Sequence, residues 1–257
     1  MSDELIPFSR PFRAAGELRN LEAVLASGHV HGDGAFTRSA TERLSRIVPS
    51  SLLLTTSGTH ALEMASILLD LGPGDEVILP SFTFASAATA VAIAGATPVF
   101  VDSEPETGNV DPQRVAAAIT SRTRAISVVH YGGVAADVDA LSAIAEEHGL
   151  PVIEDNAHGL GAAFGDRPLG TWGALAAQSF HDTKNIHCGE GGALIVNDPR
   201  LMERAEIIRE KGTDRSKFLR GQVDKYTWVD VGSSYLMSEL NAAVLDAQLE
   251  EFGEIQG

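Results

Sequence analysis

The sequence predicts an α/β fold, a mostly parallel sheet sandwiched by helices. Three observations predict it. Short, nearly uninterrupted apolar runs recur along the chain, as strands buried on both faces require. Runs of helical length and periodicity separate them. Of the 257 residues, 44% are hydrophobic, enough for a sizeable core and too many for a disordered chain.

Taken in order, "GELRNLEAVLASG" opens the pattern: Leu18, Leu21 and Leu25 recur at helical spacing and Gly28 ends the run. The strand-like runs are "SLLLTT", "EVILP", "TPVFVD", "AISVVH", "PVIED", "AAQSF" and "GALIVN". Helical runs fall between them: "THALEMASILLDLG", "ASAATAVAIAG", "DPQRVAAAIT" and "DVDALSAIAEEHG". In the third of these, Asp111 is the expected N-cap and Pro112 the first helical residue. A last helix is expected over "SELNAAVLDAQLEE". There is no internal repeat and no low-complexity linker.

The net charge of −16 would repel a phosphate backbone and argues against a nucleic-acid partner. One cysteine, Cys188, allows neither an internal disulfide nor a cysteine-built zinc site. The start, "MSDELIPFSRPFRAAGE", lacks the basic and apolar parts of a signal peptide. The most apolar stretch, "ASAATAVAIAGATPVFV", is interrupted by Gly95 and Pro98 and is too short to span a bilayer. A soluble, cytoplasmic protein without membrane contact is expected.

Sheets of this kind bind ligands at the carboxyl ends of their strands, and three such places stand out. In "LLLTTSGTHALEMA" a strand turns at Gly58 directly into a helix. The N–H groups of Thr59 and His60 and the Thr59 hydroxyl are suited to an anion there, although a plain N-cap has the same residues. In "PVIEDNAHG", Asp155 ends a strand expected to be central, where a carboxylate is costly without a cation. A structural Asp is the alternative; no neighbouring set has metal-ligand spacing, so no metal is expected. His158 lies three residues on. In "AAQSFHDTKNIHCGEGGALIVN", Lys184 sits on a tight loop between two strands, where desolvation favours the neutral, nucleophilic amine. "GLGAAFG" (159–165) imitates a dinucleotide fingerprint, but "DRPLG" after it reads as a turn and not as a helix.

An anion cradle, a buried carboxylate and a desolvated lysine together match one cofactor, pyridoxal 5′-phosphate. Its phosphate needs N–H donors, its pyridine nitrogen a carboxylate, and its aldehyde a lysine with which to form a Schiff base.

Four segments carry a family likeness: "SGTHAL" (57–62), "GDEVILPSFTFAS" (74–86), "PVIEDNAHG" (151–159) and "SFHDTKNIHCGEGGAL" (179–194). Through them the chain closely resembles the fold-type I, PLP-dependent aminotransferases of nucleotide-linked keto sugars. Within that family, "RGQVDKYTWVDVGSSYLMSELNAA" (220–243) resembles the dTDP-4-amino-4,6-dideoxygalactose transaminases. The resemblance implies transfer of an amino group from L-glutamate to C4 of dTDP-4-keto-6-deoxy-D-glucose, giving dTDP-4-amino-4,6-dideoxy-D-galactose for surface polysaccharides such as lipopolysaccharide. It also implies a homodimer.

Residue by residue, the resemblance implies that Lys184 holds the cofactor and shuttles the proton, and that Asp155 pairs with the pyridinium. His158 would sit near the ring and its 3′-oxygen. Gly58, Thr59, His60 and Ser179 would bind the phosphate, and Phe84 would lie flat on the ring unless it is a core aromatic. Ser233 and Ser234 match a place that reaches the neighbour's phosphate, although many relatives carry asparagine where Ser234 stands. Arg220 is either a further cross-subunit group or a solvated arginine, and His181 either supports Lys184 or simply packs. The implied division is an N-terminal segment (1–35), a PLP-binding large domain (36–240) and the start of a C-terminal small domain (241–257) whose remainder is absent. Three alternatives stand beside this reading: another keto sugar or amination at C3, a PLP-binding partner subunit without turnover, and a sugar dehydratase. The last replaces the lysine with histidine and is disfavoured by Lys184.

Overall fold

A computed structural model describes residues 9–257. The first eight residues lie outside it, and with them the opening of the stretch expected to lack a signal peptide and part of the 1–35 segment. The elements follow in the order α1 (Glu17–Ser27), α2 (Ala35–Ile47), β1 (Ser51–Thr55), α3 (Gly58–Leu68), β2 (Glu76–Pro80), α4 (Ala85–Ile93), β3 (Thr97–Val101) and α5 (Pro112–Ala118). Next come β4 (Thr123–Val129), α6 (Val138–His148), β5 (Val152–Asp155), the two-residue strands β6 (Ala163–Phe164) and β7 (Arg167–Pro168), β8 (Leu175–Ser179) and β9 (Gly192–Val196). The chain closes with α7 (Met202–Arg209), α8 (Arg215–Leu219), α9 (Glu239–Glu250) and α10 (Phe252–Gln256).

Seven strands form one sheet in the order β1-β9-β8-β5-β4-β2-β3. β9 runs against β1 and β8, and the other pairings are parallel. This is the mostly parallel, doubly covered sheet expected. Side-chain alternation sorts the strands' residues between two faces. Leu53, Val77, Ala125, Ile153, Leu175 and Leu194 meet α3, α4 and α7 on one face. Leu52, Leu54, Ala176 and Ile195 meet α2 and α9 on the other, where Ile78, Ile126 and Val128 meet α5 and α6.

Caps explain where several helices begin. Asp111 Oδ1 accepts from Gln113 N (2.8 Å) and Asp137 Oδ1 from Ala140 N (3.1 Å), each satisfying a donor left open at a helix start. α2 has no such residue at its own N-cap. Instead the buried Glu239 of α9 accepts from Gly34 N (3.0 Å), Phe36 N (2.8 Å) and Thr37 N (2.9 Å). α9 packs against α1 and α2, and Leu245 and Leu249 join the core beneath them.

Three local features depart from expectation. α2 is a helix that its weak apolar pattern did not announce; only Thr37, Ala40 and Leu44 are buried. α1 turns the opposite way from its leucine stripe: Leu18 and Leu25 are exposed, while Asn20 is buried and donates to Ala243 O (3.1 Å). "GLGAAFG" runs into the β6–β7 hairpin, so no helix follows the imitation fingerprint. No helix among the described residues is long and apolar enough to cross a membrane.

The end of β5 is held from beneath. Glu154, fully buried, accepts from Gly170 N (2.8 Å), Trp172 N (2.6 Å) and Gly173 N (2.6 Å). His130 Nδ1 accepts from Ala136 N (3.2 Å), so the neutral ring carries its proton on Nε2 and donates it to Glu154 Oε2 (2.9 Å). Glu154→Ala would strand four buried donors and should lower the unfolding free energy by about 3–5 kcal/mol in denaturant titration. A loss of less than ~1 kcal/mol would mean that the carboxylate does not hold these elements together.

Candidate active site

Position in the sheet decides what meets at the site. β1, β5 and β8 point the same way, so residues following them gather at one edge. Ser57 caps α3 and its hydroxyl accepts from His60 N (3.1 Å). That leaves the N–H groups of Gly58 and Thr59, at the first two helical positions, without partners among the described residues. Gly58 lies against the end of β8: a Cβ there would stand 2.9 Å from Ser179 Cβ. A Cβ on Gly192 would overlap the backbone of Ser57 and Gly58. The two glycines let α3, β8 and β9 close up, which brings Gly58, Thr59 and Ser179 together.

A cleft of about 230 Å³ opens beside them. Gly132, Ala157, His158 and Leu160, which follow β4 and β5, line it together with Ser179, Lys184 and Asn185, which end or follow β8. Lys184 stands on the 180–191 turn that joins β8 to the reversed β9. Burial lowers its pKa, and the nearby Asp155 charge opposes that shift. Asp155 is buried and accepts from Ala157 N (3.1 Å). Burial raises its pKa, against the Ala157 hydrogen bond and the charge of Lys184. The pair is therefore a buried carboxylate short of cationic partners and, close enough to feel its charge, a desolvated amine that lines the cleft.

His158 Nδ1 accepts from Gly132 N (3.2 Å), and Tyr131 meets its ring edge-on at 5.6 Å. Desolvation first, and then the Lys184 charge, lower its pKa, which favours a neutral imidazole with Nε2 as donor. Phe84 is 74% exposed. It is not a core aromatic, and its ring is free to form a stacking surface.

Other expected residues stand elsewhere. The His60 N–H is taken by Ser57 and its Nδ1 bonds Thr56 Oγ1, with Tyr235 packed at 5.1 Å; the structure does not free its backbone for an anion. Ser233 and Ser234 are exposed and outside the cleft lining, and Ser234 forms a backbone bridge with Glu210. Arg220 is held by both oxygens of Glu206 (2.9 and 2.8 Å). His181 bonds Thr183 Oγ1 (2.9 Å) and faces Asp182. No cluster of His, Cys, Asp and Glu among the described residues could hold a metal. Glu154 and His130 are contributors that sequence reading missed; the only signal was a second carboxylate beside Asp155.

A family model described as the DegT/DnrJ/EryC1/StrS aminotransferase family matches residues 13–256. Among solved structures, the aminotransferase TlmJ from Streptoalloteichus hindustanus is 32% identical, with 97% of this chain and 67% of that one covered and a TM-score of 0.89. Spr1654 from Streptococcus pneumoniae in its PLP-form is 27% identical, covering 97% and 67%, with a TM-score of 0.88. DesI, solved with its TDP-sugar product, is 35% identical, covering 98% and 62%, with a TM-score of 0.86. The chain thus spans about two thirds of the length of these relatives.

The electrostatics give a signed expectation. Asp155 holds the Lys184 amine up against desolvation, so Asp155→Asn should move the Lys184 pKa further down. The pH profile of Lys184 acylation, followed by peptide mass spectrometry without cofactor, checks this; an unchanged or upward-shifted midpoint contradicts the coupling.

Proposed function

The chain belongs to the DegT/DnrJ/EryC1/StrS aminotransferase family, and on that footing we propose that its cleft binds pyridoxal 5′-phosphate and transfers an amino group to a nucleotide-linked keto sugar. One observation carries the reading: Lys184, Asp155 and the Gly58–Ser179 contact lie at one edge of one sheet. The residues fit the cofactor. Unpartnered Gly58 and Thr59 N–H groups beside the Ser179 hydroxyl suit a phosphate. A buried Asp155 suits a protonated pyridine nitrogen, which would relieve the cost of the carboxylate's burial.

When bound, the cofactor supplies an aldehyde for an amine and an electron sink for the broken C–H bond. The protein supplies the rest. Desolvation favours the neutral form of Lys184 Nζ; it would hold the cofactor's aldehyde with loss of water and, once displaced by the incoming amine, would take and return the proton of the amino-bearing carbon. Asp155 holds the proton on the ring nitrogen. His158 would donate from Nε2, and the exposed Phe84 would cover one face of the ring.

For substrates we favour L-glutamate as donor and dTDP-4-keto-6-deoxy-D-glucose as acceptor, aminated at C4 to dTDP-4-amino-4,6-dideoxy-D-galactose. The motif over residues 220–243 supports that choice, as does the TDP-sugar product in the DesI structure. A homodimer would place the exposed Ser234 near a neighbouring subunit and cover Phe84 and Trp228, large exposed hydrophobic residues in the single chain.

The chain mixed with pyridoxal 5′-phosphate should gain the visible absorbance of the lysine-bound cofactor, and L-glutamate should bleach it. Mass analysis should then find the amino sugar. Lys184→Ala should remove the band and cut turnover by about 10²–10⁴-fold. A protein that stays colourless overturns the cofactor reading. A coloured protein unmoved by glutamate favours a PLP-binding subunit without turnover.

A further inference from the structure

The lining of the cleft comes from two parts of the chain. Leu160 follows β5, whereas Lys184 and Asn185 sit at the tip of the β8–β9 turn. That tip is held mainly by its own neighbours: Lys184 N donates to His181 O (2.9 Å), and Thr183 bonds His181. One long-range hydrogen bond leaves residues 182–185 among those described, from Asn185 Nδ2 to Gln256 Oε1 (3.2 Å). The other end of the same amide, Gln256 Nε2, donates to Leu160 O (2.9 Å). A primary amide has one acceptor and donors at opposite ends, and here each end is matched to one part of the lining.

Packing places the amide. Phe252 and Ile255 of α10 sit against the core cluster that contains Leu160 and Ile186. Gly161 has φ +84°, and a Cβ there would stand 2.7 Å from the Phe252 ring and 3.2 Å from Gln256 Nε2. The missing side chain at 161 lets α10 come down onto the cleft.

We infer that Gln256 is a positioning residue that splices the two parts of the lining, holding the Lys184 turn at a set distance from the Leu160 backbone. It is not itself among the residues that line the cleft. Without the splice, residues 182–185 keep only local hydrogen bonds and the anchor of the buried Ile186 beside them, and the Lys184 amine gains solvent.

Three variants of the full chain test this: Gln256→Met, which keeps the bulk on Gly161 and Phe252 but removes both hydrogen bonds, Asn185→Ala, and the double variant. The first readout, Lys184 acylation against pH without cofactor, does not depend on the proposed activity. Gln256→Met should move the midpoint up, towards an ordinary lysine, with little change in thermal midpoint. The second readout, pyridoxal 5′-phosphate affinity by absorbance titration, rests on the proposed cofactor role and should weaken by about tenfold, as expected of two neutral hydrogen bonds. The double variant should behave like the worse single one, since both act through one splice. A wild-type acylation profile in Gln256→Met overturns the inference, and so do strictly additive effects. A shifted acylation profile in a chain that binds no pyridoxal 5′-phosphate would sustain the splice while refuting the cofactor.

Discussion

The site depends on one buried carboxylate. Glu154 is shut away from water and answered by three backbone N–H groups and an imidazole N–H. Left unanswered it would be prohibitive at that depth; answered four times, it ties the end of β4, the end of β5 and the entry into β8 together. Its neighbour Asp155 projects from the opposite face of the same strand, because consecutive strand residues alternate. What is clamped on one face therefore fixes where the Asp155 carboxylate stands on the other. His130 takes part twice: its ring serves Glu154, and its backbone N–H donates to the backbone carbonyl of Asp155 (3.2 Å).

A second constraint is closeness. Gly58 and Gly192 are placed where any side chain would push α3, β8 and β9 apart. Their absence of a Cβ brings two open backbone donors beside the Ser179 hydroxyl. The donors stay open because Ser57 satisfies the third one, on His60. The cap and the cradle are thus a single arrangement in which one donor is used internally and two face outward.

Much of this was legible in the sequence. All seven strands of the main sheet were announced by apolar runs; in the central strands burial on both faces leaves little room for polar residues, whereas the edge strand β3 keeps its apolar run with Phe100 exposed. Lys184 and Asp155 were legible for the opposite reason: each is a charged residue where burial makes charge expensive. The rest was hidden where partners are distant in sequence. α2 is stabilised at its start by Glu239, some two hundred residues on, so no local signal marks it. α1 buries an asparagine whose partner is on α9, which inverts the face that hydrophobicity predicts. His60 was read as an open donor because its capping partner was not distinguishable from an anion. Gln256 carries no signature at all, since a glutamine near an amphipathic run reads as surface.

The reversed strand has a consequence for assembly order. Ser179 pairs with Gly192 across β8 and β9, while Thr55 pairs with the same Gly192 from β1. β8 and β9 can zip early, as neighbours in sequence; β1 must arrive from about 140 residues away, a slow closure. A hairpin zipped one residue out of step would present Ala193 or Gly191 to the Ser57–Gly58 backbone. Ala193 cannot fit there, and Gly191 would turn every apolar side chain of β9 to the wrong face. Gly192 thus sets the register of β9 against both neighbours at once, and with it the place where the Lys184 turn ends.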